Sequence, residues 1–142
     1  MIEFRPFHIG HLSYVRPLDV QTGEFRAGYD PTEVEAMYSG PALSAWAGGL
    51  CLGAAGINKP YQGRGECWAL FRAEACPYML SIVRKMRLVL DSEKLRRIDM
   101  MVRATNPRGH KLAACLGFVH EATLEAFHPT GDDVFIYKRV TA

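Results

Sequence analysis

The sequence has no long apolar run and little net charge. No stretch of roughly eighteen consecutive apolar residues occurs in it, so it predicts no membrane-spanning helix. Its 17 Lys and Arg residues and 15 Asp and Glu residues give a formal net charge of +2. This charge is too small to indicate nucleic acid as the main partner. The first ten residues, MIEFRPFHIG, predict a strand and lack the apolar segment of a signal peptide.

The sequence also lacks the cysteine spacings that are typical of metal sites. The four cysteines, Cys51, Cys67, Cys76 and Cys115, form no CxxC pair and have no Cys/His ligand spacing. We therefore predict no metal site. Because no export signal is present, we expect the thiols to be free and the protein to be cytoplasmic.

The bulk composition is that of an ordinary globular protein. The chain has 142 residues, of which 49% are hydrophobic and 23% are charged. This length is enough for one domain with a core and too short for two. We therefore expect a single domain that covers residues 1–142.

Apolar periodicity and turn residues predict the order strand, two helices, three antiparallel strands, helix, strand, helix and two strands. Gly48-Gly49 between two apolar runs indicates a hairpin, because both turn positions tolerate positive φ. Asp30, Pro31 and Glu33 predict a helix start. Strands are predicted over 1–6, 43–47, 50–57, 66–72, 97–102, 118–124 and 134–139. Helices are predicted over 9–15, from 30, over 77–90 and from 106. We also expect an irregular loop over 16–29 and a turn over 58–65. This order is an α+β arrangement with a mixed, mostly antiparallel sheet of six to seven strands, flanked by about four helices.

The segment NPRGHKLAACLGF, from Asn106 to Phe118, is the most informative part of the chain. Asn106 can cap a helix, and Pro107 suits its first turn. Gly117 is placed to supply the left-handed residue that ends the helix, and Phe118 opens the next strand. The apolar face of this helix consists of Leu112, Ala113 and Leu116.

This segment resembles the late motif of the GNAT acyltransferases, in which Asn, a helix and Leu-Gly-Phe follow a strand and lie beside acetyl-coenzyme A. The predicted order of elements matches that family along nearly the whole chain. Within the family, the strand ECWALF and the helices beginning at Pro77 and Asn106 look most similar to small phage-encoded acetyltransferase-like proteins, including internal virion proteins. The resemblance implies acetyl-CoA as co-substrate and an amine as acceptor.

The resemblance also implies a cofactor site. In the family the sheet splays between its fourth and fifth strands to admit the pantetheine arm, and backbone N–H groups at a helix start hold the diphosphate. The family signature at that turn is Arg or Gln, two residues, Gly, one residue, and Gly or Ala, where this chain has Arg72-Ala-Glu-Ala75-Cys-Pro77. Pro77 has no N–H to donate and Glu74 adds negative charge, so an ordinary strand-to-helix turn is an equal alternative. The implied cofactor-binding residues are Leu70, Phe71, Arg72, Tyr78 and Asn106, although Asn106 could also be a plain helix cap.

A second glycine-rich segment, YQGRG over 61–65, looks more like a coenzyme A loop than the turn after Arg72 does. A loop at that place would leave one antiparallel strand too few before it. It would also leave about thirty residues before the next strand, which is longer than one helix and a short loop need. We therefore interpret YQGRG as a hairpin turn.

Acyl transfer to an amine needs a base for the amine and a proton for the leaving thiolate. Glu66 begins the predicted central strand, where several GNAT enzymes carry a glutamate base, although an exposed strand-end Glu is an alternative. The frequent GNAT acid is a tyrosine at the position of Ala113, so the acid would be water, His110 or Tyr137. For His110 the alternative is a solvent-facing helix residue, and for Tyr137 a packed strand aromatic.

Two functions follow from these observations. The first is an N-acetyltransferase in which an amine attacks acetyl-CoA directly. The second is a GNAT fold that no longer catalyses and serves as a binding or structural protein, for instance a virion component, because the tyrosine is missing and the glycine turn is altered.

Overall fold

The structure, a computed structural model, describes residues 1–11 and 40–141, without the side chain of Ile9. Of the helix predicted over 9–15, only the start is described, and it is a 3-10 helix over Ile9–His11. The loop predicted over 16–29 and the helix predicted from Asp30 lie outside the described residues.

Seven strands of this part of the chain form one sheet. The strands are β1 (Ile2–Pro6), β2 (Ala42–Ala47), β3 (Leu50–Tyr61), β4 (Arg64–Phe71), β5 (Arg97–Arg103), β6 (Val119–Leu124) and β7 (Val134–Val140). Their order across the sheet is β1-β2-β3-β4-β5-β7-β6. Neighbouring strands are antiparallel except β4 and β5, which are parallel because a helical crossover joins them. The α+β class with a mixed, mostly antiparallel sheet is thereby confirmed.

Two α-helices lie in the described residues, α1 (Met79–Ser92) and α2 (Pro107–Cys115), and a 3-10 helix over Ala73–Tyr78 precedes α1. Neither α-helix, nor any other helix of the described segments, is long and apolar enough to cross a membrane. Both pack against one face of the sheet. Their buried residues, Ile82, Met86 and Leu90 from α1 and Ala113 and Leu116 from the end of α2, join one core with Cys67, Met100 and Tyr137 of the strands.

The parallel pair β4 and β5 is joined over only part of its length. Paired residues run from Arg64 opposite Arg97 to Cys67 opposite Met100. Beyond these, β4 continues to Phe71 and β5 to Arg103 without pairing to each other. The two strands therefore part at their C-terminal ends, which is the splay that the family resemblance implies.

Three predicted boundaries need correction. Strand β3 does not stop at Ile57 but runs to Tyr61, because a register shift between Asn58 and Tyr61 absorbs Pro60. The turn predicted over 58–65 is therefore only Gln62-Gly63, in which Gly63 has a φ of 86°. Strand β4 begins at Arg64, so Glu66 is its third residue and not its first.

Candidate functional site

A cavity of about 690 Å³ opens where β4 and β5 part. Its lining comes from the C-terminal half of β4, the 3-10 helix and the start of α1 on one side. On the other side it comes from β5 and α2, and Asn58 of β3 contributes as well. Of the eight predicted site residues, the structure brings four to this lining, namely Glu66, Phe71, Arg72 and Asn106.

A cluster of charges lies where β4 and β5 are still paired. Glu66 and Asp99 are opposite each other in the register and both line the cavity. Asp99 is only 5% exposed. Arg64 joins the two carboxylates, since its Nη2 atom lies 2.7 Å from Asp99 Oδ2 and 3.1 Å from Glu66 Oε1. Arg97 donates to the other oxygen of Asp99 at 2.6 Å. The buried charge of Asp99 is therefore fully paired, and Arg64 holds Glu66 at the cavity.

A buried acceptor faces the same part of the cavity. Oδ1 of Asn58 is shielded from solvent, and among the described residues none donates a hydrogen bond to it. Asn58 is the register partner of Glu66 on β3, so the two side chains project from the same face of the sheet. A buried carbonyl oxygen without a donor costs free energy.

The turn after β4 is compact. The backbone N–H of Arg72 donates to the carbonyl of Leu52 at 2.9 Å, and the N–H of Ala75 donates to the carbonyl of Arg72 at 3.0 Å. The segment over Ala73–Tyr78 is thus a 3-10 helix with Pro77 inside it, and α1 starts two residues after Pro77. The Arg72 side chain binds Glu74, with Nε 2.5 Å from Oε2. The hydrogen bond from Arg72 lowers the pKa of Glu74, and the two opposite charges form an ion pair.

Asn106 is the N-cap of α2, as its position in the sequence predicts. Its Oδ1 atom accepts a hydrogen bond from the backbone N–H of Gly109 at 3.0 Å, and Pro107 is the first helical residue. The α2 backbone approaches β5 closely here, because a Cβ on Gly109 would lie 2.6 Å from Val102 Cγ1. The cap therefore holds Asn106 at the edge of the cavity.

His110 and Tyr137 contact each other outside the cavity lining. Nδ1 of His110 lies 2.7 Å from the Tyr137 hydroxyl, and Nε2 lies 3.0 Å from the carbonyl of Ala104. Since a carbonyl only accepts, Nε2 donates the hydrogen bond to Ala104. Tyr137 is 9% exposed, and burial raises its pKa. His110 is thus half-buried rather than a solvent-facing helix residue.

Two other predicted residues also lie outside the lining. Leu70 is fully buried in β4, and Tyr78 is the N-cap residue of α1 and packs against the core. Leu70 alternates with Phe71 along the strand, so its side chain is on the opposite face, and only its backbone is near the splay.

Asp99 and Arg64 were not among the predicted site residues. Asp99 interrupts the apolar run of β5, and a single carboxylate in a buried strand requires a cationic partner. That signal could have identified Asp99. It could not have identified Arg64, which is 35 residues away and meets Asp99 only through the parallel pairing.

Comparisons with known proteins support the architecture. No family model matches the sequence, and no curated protein matches it. Among solved structures, Ard1 from Thermoplasma volcanium superimposes with a TM-score of 0.78 at 13% identity, covering 99% of this chain and 98% of that one. The ribosomal-protein-S18-alanine N-acetyltransferase from Escherichia coli gives 0.78 at 11% identity, with 99% and 94% covered.

A chimera of the spermidine N-acetyltransferase SpeG from Vibrio cholerae and hSSAT gives a TM-score of 0.73 at 16% identity, with 98% of this chain and 95% of the chimera covered. At such low identity the similarity concerns the fold. The structure and these neighbours agree that the chain has the GNAT fold.

Proposed function

We propose that the protein is an acyl-CoA-dependent N-acyltransferase that passes an acetyl group directly from acetyl-CoA to an amine. The observation that carries this proposal is the gap between β4 and β5 beyond Cys67 and Met100, with an open cavity at its mouth. Backbone groups at a strand edge without a neighbour are available to pair with an extended ligand. The amide-bearing pantetheine arm is a ligand of that kind.

The cofactor-binding residues would act in two ways. Leu70 and Phe71 would offer backbone groups at the edge of β4, whereas the N–H and the carbonyl of Arg72 already bond to Leu52 and Ala75. Asn106 offers its side-chain amide across the cavity, since its Oδ1 atom is already used by the helix cap. Tyr78 would contribute only through the position of α1, because its side chain packs against the core.

Glu66 is the proposed general base. The amine nitrogen attacks the thioester carbon, a C–N bond forms and the C–S bond breaks. The proton from nitrogen passes to Glu66, directly or through one water, and the thiolate takes a proton from water. Because His110 and Tyr137 bind each other away from the cavity, we assign them to the support of α2 rather than to proton transfer.

Calorimetric titration with acetyl-CoA tests the first step. We expect saturable binding and a rise in melting temperature, because a ligand that binds only the folded state stabilises it. ATP serves as the control for unspecific nucleotide binding. Absence of binding at millimolar acetyl-CoA would remove the proposal.

A panel of amines tests the second step. Spermidine and a peptide with an N-terminal alanine are suitable first acceptors, since two structural neighbours are named for such substrates. We expect at least one acceptor to gain a mass of one acetyl group and to release CoA.

The alternative, a GNAT-fold binding or structural protein such as a virion-associated component, rests on Ala113. This residue is 0% exposed at the position of the family's acid, and an alanine side chain has no proton to donate there. Tight acetyl-CoA binding without turnover of any amine in the panel would favour this alternative.

A further inference from the structure

Among the described residues, three cationic side chains line the cavity, and they differ in how they are paired. Arg72 forms an ion pair with Glu74, in which Nε of Arg72 lies 2.5 Å from Oε2 of Glu74. Arg108 and Lys111 of α2 are exposed, and neither forms an ion pair or a side-chain hydrogen bond within the described residues. The unpaired positive charge of the cavity therefore comes from α2.

Arg108 and Lys111 are placed to act together. They are three residues apart on one helix, so their side chains are neighbours, with Cβ atoms about 5–6 Å apart. Gly109, Leu112 and Cys115 also line the cavity, while the buried Ala113 faces the core. The two cationic residues thus precede the apolar lining residues Leu112 and Cys115 along α2.

The opposite wall offers little to an anion. The 3-10 helix over Ala73–Tyr78 uses N–H groups for its own turns, and the cap N–H of Met79 donates to the carbonyl of Cys76. Pro77 has no N–H. Glu74 adds a carboxylate beside this wall and forms an ion pair with Arg72.

We propose that Arg108 and Lys111 hold the diphosphate of the acyl-CoA in this protein, in place of the backbone N–H groups at the start of α1. The inference rests on the proposed function. Each phosphate group carries negative charge, and Arg and Lys side chains are the usual cationic partners of phosphate. The substitution of side-chain for backbone donors explains how a turn without glycine and with Pro77 remains compatible with an open cofactor cavity.

The test measures acetyl-CoA affinity by calorimetry in a series of KCl concentrations. The variant Arg108→Gln/Lys111→Gln removes both charges from exposed positions, so its melting temperature reports whether it is folded. The control Lys94→Gln/Arg96→Gln removes two exposed charges that lie outside the cavity lining. A third protein, Arg108→Lys, keeps the charge.

We expect the double variant to bind acetyl-CoA about 10- to 100-fold more weakly than wild type, since two charge-assisted contacts are lost. Its affinity should also depend less on KCl, because salt screens the contacts that were removed. The control should match wild type, and Arg108→Lys should lie between wild type and the double variant.

Two results would overturn the inference and leave the proposed function standing. One is wild-type affinity in the double variant. The other is weaker binding with an unchanged KCl dependence, which would show that the loss does not come from phosphate contacts. Failure of wild type itself to bind acetyl-CoA would instead refute the proposed function.

Discussion

Glu66 owes its place at the cavity to one arginine. Arg64 contacts both Glu66 and Asp99, so the glutamate is held although its side chain is 46% exposed. Asp99, by contrast, is saturated by two arginines and has no free oxygen for a substrate. Of the two carboxylates that the described residues bring to the cavity, Glu66 is the one available for proton transfer.

We therefore expect Glu66→Gln to lower kcat/KM for acetyl transfer about 10²- to 10⁴-fold, the usual contribution of a general base. The affinity for acetyl-CoA should stay unchanged, because the amide keeps the shape of the side chain. Steady-state kinetics and calorimetry measure the two quantities. Glu125→Gln, at an exposed position outside the lining, is the matched control. Equal activity of the two variants would contradict the role of Glu66.

All four cysteines are free in the structure, and they differ in burial. Burial raises the pKa of Cys67 to about 12 and also raises that of Cys51. Cys76 and Cys115 are exposed, and both line the cavity.

A disulfide reagent should thus modify Cys76 and Cys115 rapidly in the native protein, and Cys51 and Cys67 only after unfolding. Saturating acetyl-CoA should slow the modification of both exposed thiols, because it would occupy the space in front of them. Thiol counting by absorbance, with Cys76→Ser/Cys115→Ser as control, checks this. Rapid labelling that acetyl-CoA leaves unchanged would place the ligand elsewhere.

At the scale of elements, α2 depends on Asn106 for its cap and the proposed site depends on the same residue for its amide. Substitution can separate these roles. Asn106→Ala removes the cap and should lower the free energy of unfolding by about 1 kcal/mol.

Asn106→Asp keeps a capping oxygen beside Gly109 and should be as stable as wild type. It replaces the amide NH₂ with a carboxylate oxygen, so acetyl-CoA binding should weaken in both variants. Chemical denaturation and calorimetry provide the two measurements. Full acetyl-CoA affinity in Asn106→Asp would show that Asn106 acts as a cap alone.

The sequence predicted the elements whose signals are local. The Gly48-Gly49 hairpin, the cap at Asn106 and the left-handed Gly117, with a φ of 85°, are all confirmed. Each of these depends on a few adjacent residues, so its physics is contained in the sequence around it.

The errors in the predicted elements have a common cause. Asn58 and Pro60 are turn residues by composition, yet pairing with β4 carries β3 past them through a bulge. Pro77 suits the first turn of an α-helix, but α1 begins only at Met79. In both cases the local sequence is compatible with more than one boundary, and tertiary contacts determine where the strand ends or the helix begins.

The candidate site was predicted only in part for a similar reason. Glu66, Phe71, Arg72 and Asn106 reached the lining because the order of the strands places the ends of β4 and β5 together. The pairing of His110 with Tyr137 and of Arg64 with Asp99 joins residues 27 and 35 positions apart, and no local pattern specifies such contacts.

At the scale of the whole molecule, a chain of ion pairs ties β4 to the far edge of the sheet. Arg97 bridges Asp99 and Glu121, and Lys138 also contacts Glu121. Hydrogen bonds from Arg97 and Lys138 lower the pKa of Glu121 from 4.5 to about 2. Arg103 likewise lowers the pKa of Asp132.

A carboxylate whose pKa is lower in the folded state stabilises the fold above its unfolded pKa, and this contribution is lost as the pH falls. We expect the melting temperature to fall between about pH 4.5 and about pH 2, and Glu121→Gln to show a smaller fall over this range. Because these groups are at the surface, the effect should be small and should shrink in high salt. Calorimetric scans against pH measure it, and an identical pH dependence of wild type and variant would refute the role of Glu121.

Only four residue pairs connect the first four strands of the sheet to the last three through backbone hydrogen bonding. The ion pair of Arg64 with Asp99 and the helices packed on the sheet also join these two halves. A pantetheine arm that hydrogen-bonds to both β4 and β5 would therefore link the two halves of the sheet. When acetyl-CoA is bound, the amide hydrogens of β4 and β5 should exchange more slowly with solvent. The two halves of the sheet should then open together and not one after the other.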